Sequence, residues 1–467
     1  MKKTDTFAYD LAMRVIKCLN IIVLTVPFMV CWYMVYADQI ASPYYARGNY
    51  LVIGLFAALY FIYGRIYEAF NISMNQVSEI VYSQGLAALI ANAVLYIVIW
   101  LLSKHLPNPL PLLGTLAAQV GVSAVWGAWA RRWYFRTWAP RRTLIIYDQR
   151  QDMAQMLDEP NMRKKFDIVQ SLNVEEALSD GLPELRDVDA VFLCGVHSHE
   201  RNILLKECIA ADVMTYITPR IGDVLMRSAK TVHMFHLPVM RTGRCQPSPE
   251  YLFVKRVMDI CISLIGLVIA SPILLAAAIA IKATDGGPIV YKQQRLTKDG
   301  ELFWLYKLRS MRVDAEKDGV ARLSTGIEDD RVTRVGRIIR RFRIDEIPQM
   351  VCALTGKMSI VGPRPERPEI AEKYRETLPE FNLRLQVKAG LTGYAQVYGK
   401  YNTPPYEKLQ MDLMYISHLS IAEDIRILFA TVKILFTAES TEGIEKEEKT
   451  VANEKAENLQ AVPQTVR

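Results

Sequence analysis

Residues 260–281 read ICISLIGLVIASPILLAAAIAI, directly after Lys255-Arg256, and the placement of this run decides the architecture. It is almost wholly apolar and long enough to cross a bilayer, so taken literally it is a fifth span. Four earlier apolar runs, at about 18–37, 50–64, 84–103 and 110–130, fill the start of the chain. The second is short and carries Gly54 and Gly64, so its ends are the least defined. The first is too long for the apolar part of a cleaved signal peptide, and no cleavage is expected.

Basic residues set the orientation. Lys2, Lys3, Arg14 and Lys17 precede the first run, Arg65 lies between the second and third, and Arg131, Arg132, Arg136, Arg141 and Arg142 follow the fourth. The other loops hold only Arg47 and Lys104. By the positive-inside rule both ends of this four-helix unit are cytoplasmic, with the proline-rich 106–111 an outer turn and the Trp/Tyr cluster 126–138 an interfacial belt. An odd fifth crossing would put everything after 281 outside. Ser271-Pro272 offers another solution, because proline deletes a backbone donor and clashes with the preceding turn. The run is therefore expected to enter and return on one face as helix, break and helix, with the Ser263 or Ser271 hydroxyl meeting freed carbonyls. An ordinary kinked span is the simpler alternative.

The chain of 467 residues is 51% hydrophobic and 22% charged, with a net charge of +7 and a mean hydropathy of +0.10. Extensive disorder is excluded, and a membrane part joined to a water-soluble part is implied. Seven cysteines, Cys18, Cys31, Cys194, Cys208, Cys245, Cys261 and Cys352, include no CxxC pair. They indicate a reducing compartment and no zinc knuckle.

From 143 to 245 short apolar strands alternate with polar helical stretches: Thr143 to Tyr147, Asp167 to Ser171, Ala190 to Cys194 and Val213 to Ile217. That pattern predicts a small parallel α/β sheet, a Rossmann-like domain. Its first strand runs into Asp148-Gln-Arg-Gln-Asp152 instead of a glycine-rich loop, so no tightly bound NAD is expected. His197 with His199, or His233 with His236, could form half of a metal site, but no Cys or carboxylate partner stands at metal-site spacing. The domain is read as structural or regulatory.

The chemistry lies between Asp285 and Gly399, a stretch dense in Gly, Arg and Lys. It contains Gln293-Gln-Arg295, Lys307-Leu-Arg-Ser-Met311 and arginines at 331, 334, 337, 340, 341 and 343. Arg presents a rigid fork to phosphate oxygens and Lys a point charge, which suits a polyphosphate. The arginine-rich helix from 331 suits an anionic membrane surface equally well. Nucleic acid is disfavoured by the membrane flanks. Asp345-Glu346 then stand among arginines, where a carboxylate stays ionised and can act as nucleophile or magnesium ligand; a surface salt-bridged pair is the alternative. Arg364, between Pro363 and Pro365 and preceded by Gly362, is a preorganised donor.

Together these residues resemble the polyprenyl-phosphate sugar-1-phosphate transferases, the monotopic-core phosphoglycosyl transferases that start bacterial exopolysaccharide, capsule and O-antigen chains. The likeness covers about 251–435 and rests on ordered motifs: Lys255-Arg256-x-x-Asp259, Ser271-Pro272, Lys307 to Met311, Asp330 to Arg334, Ile344 to Gln349, Met358 to Pro365, Gly390-Leu-Thr-Gly393 and Asp412-x-x-Tyr415. The four N-terminal spans and the degenerate nucleotide fold look like the long form of that family.

The resemblance implies that Asp345 attacks the sugar-bearing phosphorus of a UDP-sugar, that UMP leaves, and that Glu346 holds Mg2+. Undecaprenyl phosphate, arriving in the bilayer plane, would then take the phosphosugar from Asp345, so ping-pong kinetics follow. Lys307, Arg309, Arg364, Pro365, Gln396, Arg295 and Arg334 are the candidates for binding the donor. The sequence departs from the family pattern at Thr297, where Gly is usual, at Cys352, where Asn is usual, and at Ala389, where Pro is common.

The expected organisation is a transmembrane α-helical bundle plus α/β: four transmembrane helices (1–142), the Rossmann-like domain (143–245), a mainly α-helical catalytic domain with the re-entrant helix (246–438), and a disordered tail (439–467). The tail has seven Glu against four Lys+Arg and no aromatic residue. The expected location is the inner membrane, multi-pass, with the catalytic domain facing the cytoplasm, and a homodimer is compatible with this layout. The expected sugar is a hexose, glucose or galactose, with an N-acetylated hexosamine as the alternative. A non-catalytic scaffold for polysaccharide assembly is the competing reading, and a transporter is disfavoured because no ionisable residue is clearly embedded in the first four runs.

Overall fold

The computed structural model describes residues 3–44, 47–148, 162–179, 185–234, 236–312, 331–399 and 403–435. The tail from 439, Asp330 and most of the loop after the first strand lie outside the described residues. The chain forms two compact units, Met1–Pro219 and Arg220–Arg467.

In the first unit each of the four apolar runs falls on a helix. These are α1 (Lys3–Cys31, prolonged by a π turn to Tyr36), α2 (Arg47–Ile66), α3 (Val77–Leu102) and α4 (Leu110–Thr137). Each is long and apolar enough to cross a membrane. Several of their polar side chains bond to one another inside the bundle, as hydrocarbon surroundings favour. Asn92 donates to Gln119 at 2.7 Å, Gln119 to the Leu24 carbonyl at 3.2 Å, and Trp32 to Asn49 at 3.0 Å. Phe28 stacks on Phe56 with 4.6 Å between centroids. The proline-rich turn is tied back by Tyr36 to the Asn108 carbonyl and by Tyr96 to the Pro107 carbonyl.

The same unit carries a sheet of β1 (Arg141–Tyr147), β2 (Phe166–Asn173), β3 (Ala190–Cys194) and β4 (Met214–Ile217), all parallel, in the order β2-β1-β3-β4. All four predicted strands are present. Leu144, Ile146, Val191 and Leu193 bury one face, and Ile145, Ala190 and Phe192 the other, which is why these strands read as continuous apolar runs. His197 lies 3.4 Å from the Asp148 carboxylate. All seven cysteines are free thiols.

The second unit begins ahead of the 246 boundary expected from sequence. Ile221 and Val224 of the helix Ile221–Arg227 are buried with Leu409 and Leu413, so this short helix belongs to the C-terminal core. An antiparallel hairpin follows, β5 (Lys230–Met234) with β6 (Leu237–Arg241). Helix α5 (Pro249–Asp285) is capped by the Ser248 hydroxyl on Tyr251 N–H at 3.3 Å and ends at Gly286 in the left-handed region, φ 68°. It has the length and apolarity of a fifth span. The expected break is not a gap in helical structure, for α5 stays helical through Ser271-Pro272. Pro272 cannot donate to the Val268 carbonyl, and the Ser271 hydroxyl does so instead at 2.8 Å. Ser263, the other residue expected to do this, is buried and its hydroxyl has no hydrogen-bond partner among the described residues.

After α5 come the hairpin β7 (Val290–Leu296) and β8 (Leu302–Leu308), helix α6 (Arg334–Arg341), a 3-10 turn Ile344–Glu346, helix α7 (Gln349–Leu354), and β9 (Ser359–Val361) paired parallel with β10 (Gly390–Thr392). Helices Pro405–Ser417 and Ile421–Leu435 close the core. The domain is thus mainly helical, with two short sheets carrying the loops that matter. A Cβ on Gly390 would overlap the Gly362 backbone, so only glycine lets these two loops cross in contact.

The first residues of the resemblance prove to be fasteners between α5 and those loops. Arg256 donates to the Ala353 and Leu354 carbonyls, both at 2.7 Å, closing the C-terminus of α7. Asp259 is buried and accepts the Ser359 hydroxyl at 3.1 Å and the Ile360 N–H at 3.0 Å, holding β9. Lys255 binds Asp424 at 2.9 Å and Tyr415 at 3.2 Å, and Tyr415 binds Asp424 at 2.7 Å.

Candidate active site

Arg343 occupies the left-handed region, φ 52°, a conformation that a side chain adopts at a cost, and it turns the chain from α6 into Ile344–Glu346. The turn presents both carboxylates to the end of β8 and to the loop after β9. Glu346 Oε1 accepts Lys307 Nζ at 3.1 Å and Arg364 Nη2 at 2.9 Å. Two cations from distant parts of the sequence thus converge on one oxygen.

The environments drive the carboxylates apart. Burial pushes Asp345 up, the adjacent negative Glu346 adds to it, and Lys307 and Arg340 only partly offset this, leaving Asp345 at about 6. Burial acts upward on Glu346 too, but Arg364, Lys307 and Arg343 outweigh it and hold Glu346 below the ordinary carboxylate range. Burial lowers Lys307 while Glu346 opposes the shift, and Glu346 raises Arg364. Such a split pair marks a permanent anion beside a carboxylate whose proton can come and go.

Of the sequence candidates, Lys307, Asp345, Glu346 and Arg364 come together. Arg295 braces them: its Nη1 donates to the Pro365 carbonyl at 3.0 Å and its Nη2 to Gln293 at 2.6 Å. Arg309 is buried just past β8, with its backbone N–H on the Ile289 carbonyl at 2.9 Å. Gln396 and Arg334 make no bond to those four residues among the described residues. Gln396 donates to the Leu391 carbonyl at 3.0 Å, supporting the β10 turn. Arg334 is exposed on the first turn of α6 and makes no bond with the carboxylates among the described residues.

Arg384 was not singled out from sequence. It is 3% exposed and donates to the Arg364 carbonyl at 2.8 Å, while pairing with Asp412 at 2.7 Å and Glu366 at 3.4 Å. Asp412, in the Asp-x-x-Tyr motif, was the available signal. Its carboxylate anchors the arginine that holds the backbone of Arg364.

Two departures from the family pattern are coupled. The Thr297 hydroxyl accepts Ala389 N–H at 3.2 Å and donates to the Lys357 carbonyl at 3.3 Å. Thr297→Val leaves that buried N–H unpaired and is expected to cost about 1–3 kcal/mol. Ala389→Pro removes the same N–H, so in thermal melts of the purified protein the double variant should lose less than the sum of the singles. Strictly additive losses would refute the coupling. Cys352 uses its own substitution similarly, donating from Sγ to the Trp304 carbonyl at 3.4 Å.

Residues 250–438 match the bacterial sugar transferase family. The chain is 36% identical over 236 residues to UDP-N-acetylgalactosamine-undecaprenyl-phosphate N-acetylgalactosaminephosphotransferase of Aeromonas hydrophila, covering 50% of this chain and 55% of that protein. It is 46% identical over 158 residues to a Bacillus subtilis protein named putative undecaprenyl-phosphate N-acetylgalactosaminyl 1-phosphate transferase, 34% of this chain and 83% of that one. It is 41% identical over 212 residues to UDP-glucose:undecaprenyl-phosphate glucose-1-phosphate transferase of Escherichia coli, 44% of each chain. The chain belongs to the bacterial sugar transferase family. The matched region spans about half the length of the Aeromonas and Escherichia relatives.

Proposed function

We propose that this protein transfers a hexose 1-phosphate, of glucose or galactose, from a UDP-sugar to undecaprenyl phosphate, opening the assembly of an exopolysaccharide, capsule or O-antigen chain. The observation that carries this reading is the convergence of Lys307 Nζ and Arg364 Nη2 on Glu346 Oε1, at 3.1 and 2.9 Å, on the turn that also bears Asp345. An Asp345 carboxylate oxygen bonds to the sugar-bearing phosphorus as the bond from that phosphorus to the bridging oxygen breaks. UMP leaves with the bridging oxygen and its electron pair. The resulting mixed anhydride is then attacked by a phosphate oxygen of undecaprenyl phosphate, which forms the lipid diphosphate sugar and returns Asp345 as a carboxylate.

Lys307 and Arg364 hold the diphosphate and oppose the charge that builds on the departing oxygen. Glu346 is fit to hold magnesium, because its Oε1 takes both cations while its Oε2 makes no bond among the described residues, and magnesium is ordinarily held by one or two carboxylates plus substrate phosphates. Magnesium bound there supplies charge neutralisation on the diphosphate.

Helix α5 enters and leaves on the cytoplasmic face. In support, Arg256 and Asp259 near its start and Ala277 and Ile281 near its end all pack on elements of the same compact unit. Helical rise puts about 38 Å between residues 256 and 281 if α5 is straight, more than the hydrocarbon thickness. The Ser271 bond to Val268 supports a bend at Pro272.

The test is UMP release from a panel of UDP-sugars, including N-acetylated hexosamines, by membranes supplied with undecaprenyl phosphate and Mg2+. Release with one sugar supports the reading. No release from folded protein with any sugar would move the scaffold reading to the front. The pH profile should follow Asp345: only the ionised form is a nucleophile, so kcat/KM for the donor falls as pH drops through about 6 and is flat just above it. A rate unchanged down to pH 4.5 would contradict this.

A further inference from the structure

The four-helix unit contains a cavity of about 280 Å³ lined by Asp10, Arg14, Lys17 and Asn20 of α1, Gln84 of α3 and Trp126 of α4, closed by the chain around Phe70 that follows α2. It lies at the end of the bundle that carries Arg14, Lys17, Arg65 and Arg131. Its lining is built in a way that apolar packing does not require. Asn20 and Gln84 are each 1% exposed, and Asn20 Nδ2 and Gln84 Oε1 have no hydrogen-bond partner among the described residues. The Nε1 atom of half-buried Trp126 is also buried and has no partner among the described residues. The remaining amide atoms are spoken for: Tyr60 donates to Asn20 Oδ1 at 3.0 Å and Gln84 Nε2 to the Ala69 carbonyl at 3.2 Å, so neither side chain can turn to satisfy itself.

Arg14 lines the cavity with no ion pair among the described residues, and Lys17 lies over the rings of Phe70 and Phe61, at 5.0 and 5.8 Å. Asp10 is the one carboxylate in the lining. Two cations and one anion leave a single positive charge, beside two unpaired donors and one unpaired acceptor. We propose that this cavity binds the mono-anionic phosphate headgroup of a lipid, with Arg14 and Lys17 on the phosphate and Asn20, Trp126 and Gln84 on the polar atoms of the headgroup. Both a phosphodiester lipid and a singly ionised polyprenyl phosphate present this chemistry. The site is distinct from Asp345–Glu346 in the other unit and stands whether or not the transferase reading holds.

The test is native mass spectrometry of the full-length protein in detergent, titrated separately with phosphatidylglycerol, undecaprenyl phosphate and diacylglycerol. One phosphate lipid per chain should be retained at low concentration, with diacylglycerol not retained. The double variant Arg14→Gln/Lys17→Gln should bind about thirtyfold more weakly. Asn20→Leu, which leaves both charges in place, should also weaken retention, and Lys17→Arg should preserve it. Preference for phosphatidylglycerol would identify a resident phospholipid, and preference for undecaprenyl phosphate would identify a second acceptor site. Equal retention by wild type and the double variant, or equal retention of diacylglycerol, would overturn the proposal, leaving water as the occupant.

Discussion

Asp345→Asn should reduce UMP release by about a thousandfold or more with any UDP-sugar, as removal of a covalent nucleophile does elsewhere. The substitution is nearly isosteric and sits on the Ile344–Glu346 turn, which follows Arg343 in the left-handed region. It also removes the repulsion that Glu346 exerts on Asp345, so the folded state should lose no stability. An amide carries no charge and cannot form the anhydride, so neither half-reaction can proceed. A rate assay on purified protein, paired with a thermal melt, separates loss of chemistry from loss of fold. Retention of more than a few per cent of the wild-type rate would remove Asp345 from the centre of the reaction.

Arg364→Ala should lower kcat/KM for the donor by about a hundredfold to a thousandfold, the range for deleting one preorganised donor to developing charge. Glu346 would keep Lys307 at 3.1 Å, and the loop itself would be held by the bonds from Arg384 and Arg295 to the carbonyls of Arg364 and Pro365. The loss should therefore fall on catalysis and not on folding. Arg364→Lys should recover only part of it, since a point charge does not reproduce the guanidinium fork. A loss below fivefold with Arg364→Ala, measured as UMP release against donor concentration, would show that this side chain only packs.

Much of this arrangement was legible in the sequence because the local signals were strong. Four apolar runs became four helices, and the alternation from Thr143 to Ile217 became a parallel sheet with the expected strands. Asp345, Glu346, Lys307 and Arg364 could be picked out by charge in an unusual setting. Charge alone could not say which arginines converge. Arg334 and Arg340 share a helix, yet Arg340 acts on Asp345 and donates to the Ser310 hydroxyl at 2.9 Å while Arg334 faces outward.

Gln396 was named only through the resemblance, and its amide N–H reaches the Leu391 carbonyl. Arg384 was hidden because its role depends on contacts with Asp412 and the Arg364 carbonyl, far apart in sequence. Helix α5 shows the remaining limit. Proline predicts a lost hydrogen bond, and the Ser271 hydroxyl replaced it without ending the helix.

The central claim is that the phosphosugar passes through a covalent bond to Asp345. Incubating the full-length protein with its UDP-sugar and Mg2+ in the absence of undecaprenyl phosphate, quenching in denaturant and mapping peptides by mass spectrometry tests it directly. A phosphohexose adduct on the peptide bearing Asp345, formed with about one equivalent of UMP and discharged on adding undecaprenyl phosphate, is the predicted result. UMP release that requires the acceptor from the outset, with no adduct on any carboxylate, would contradict it and point to direct transfer between the two substrates.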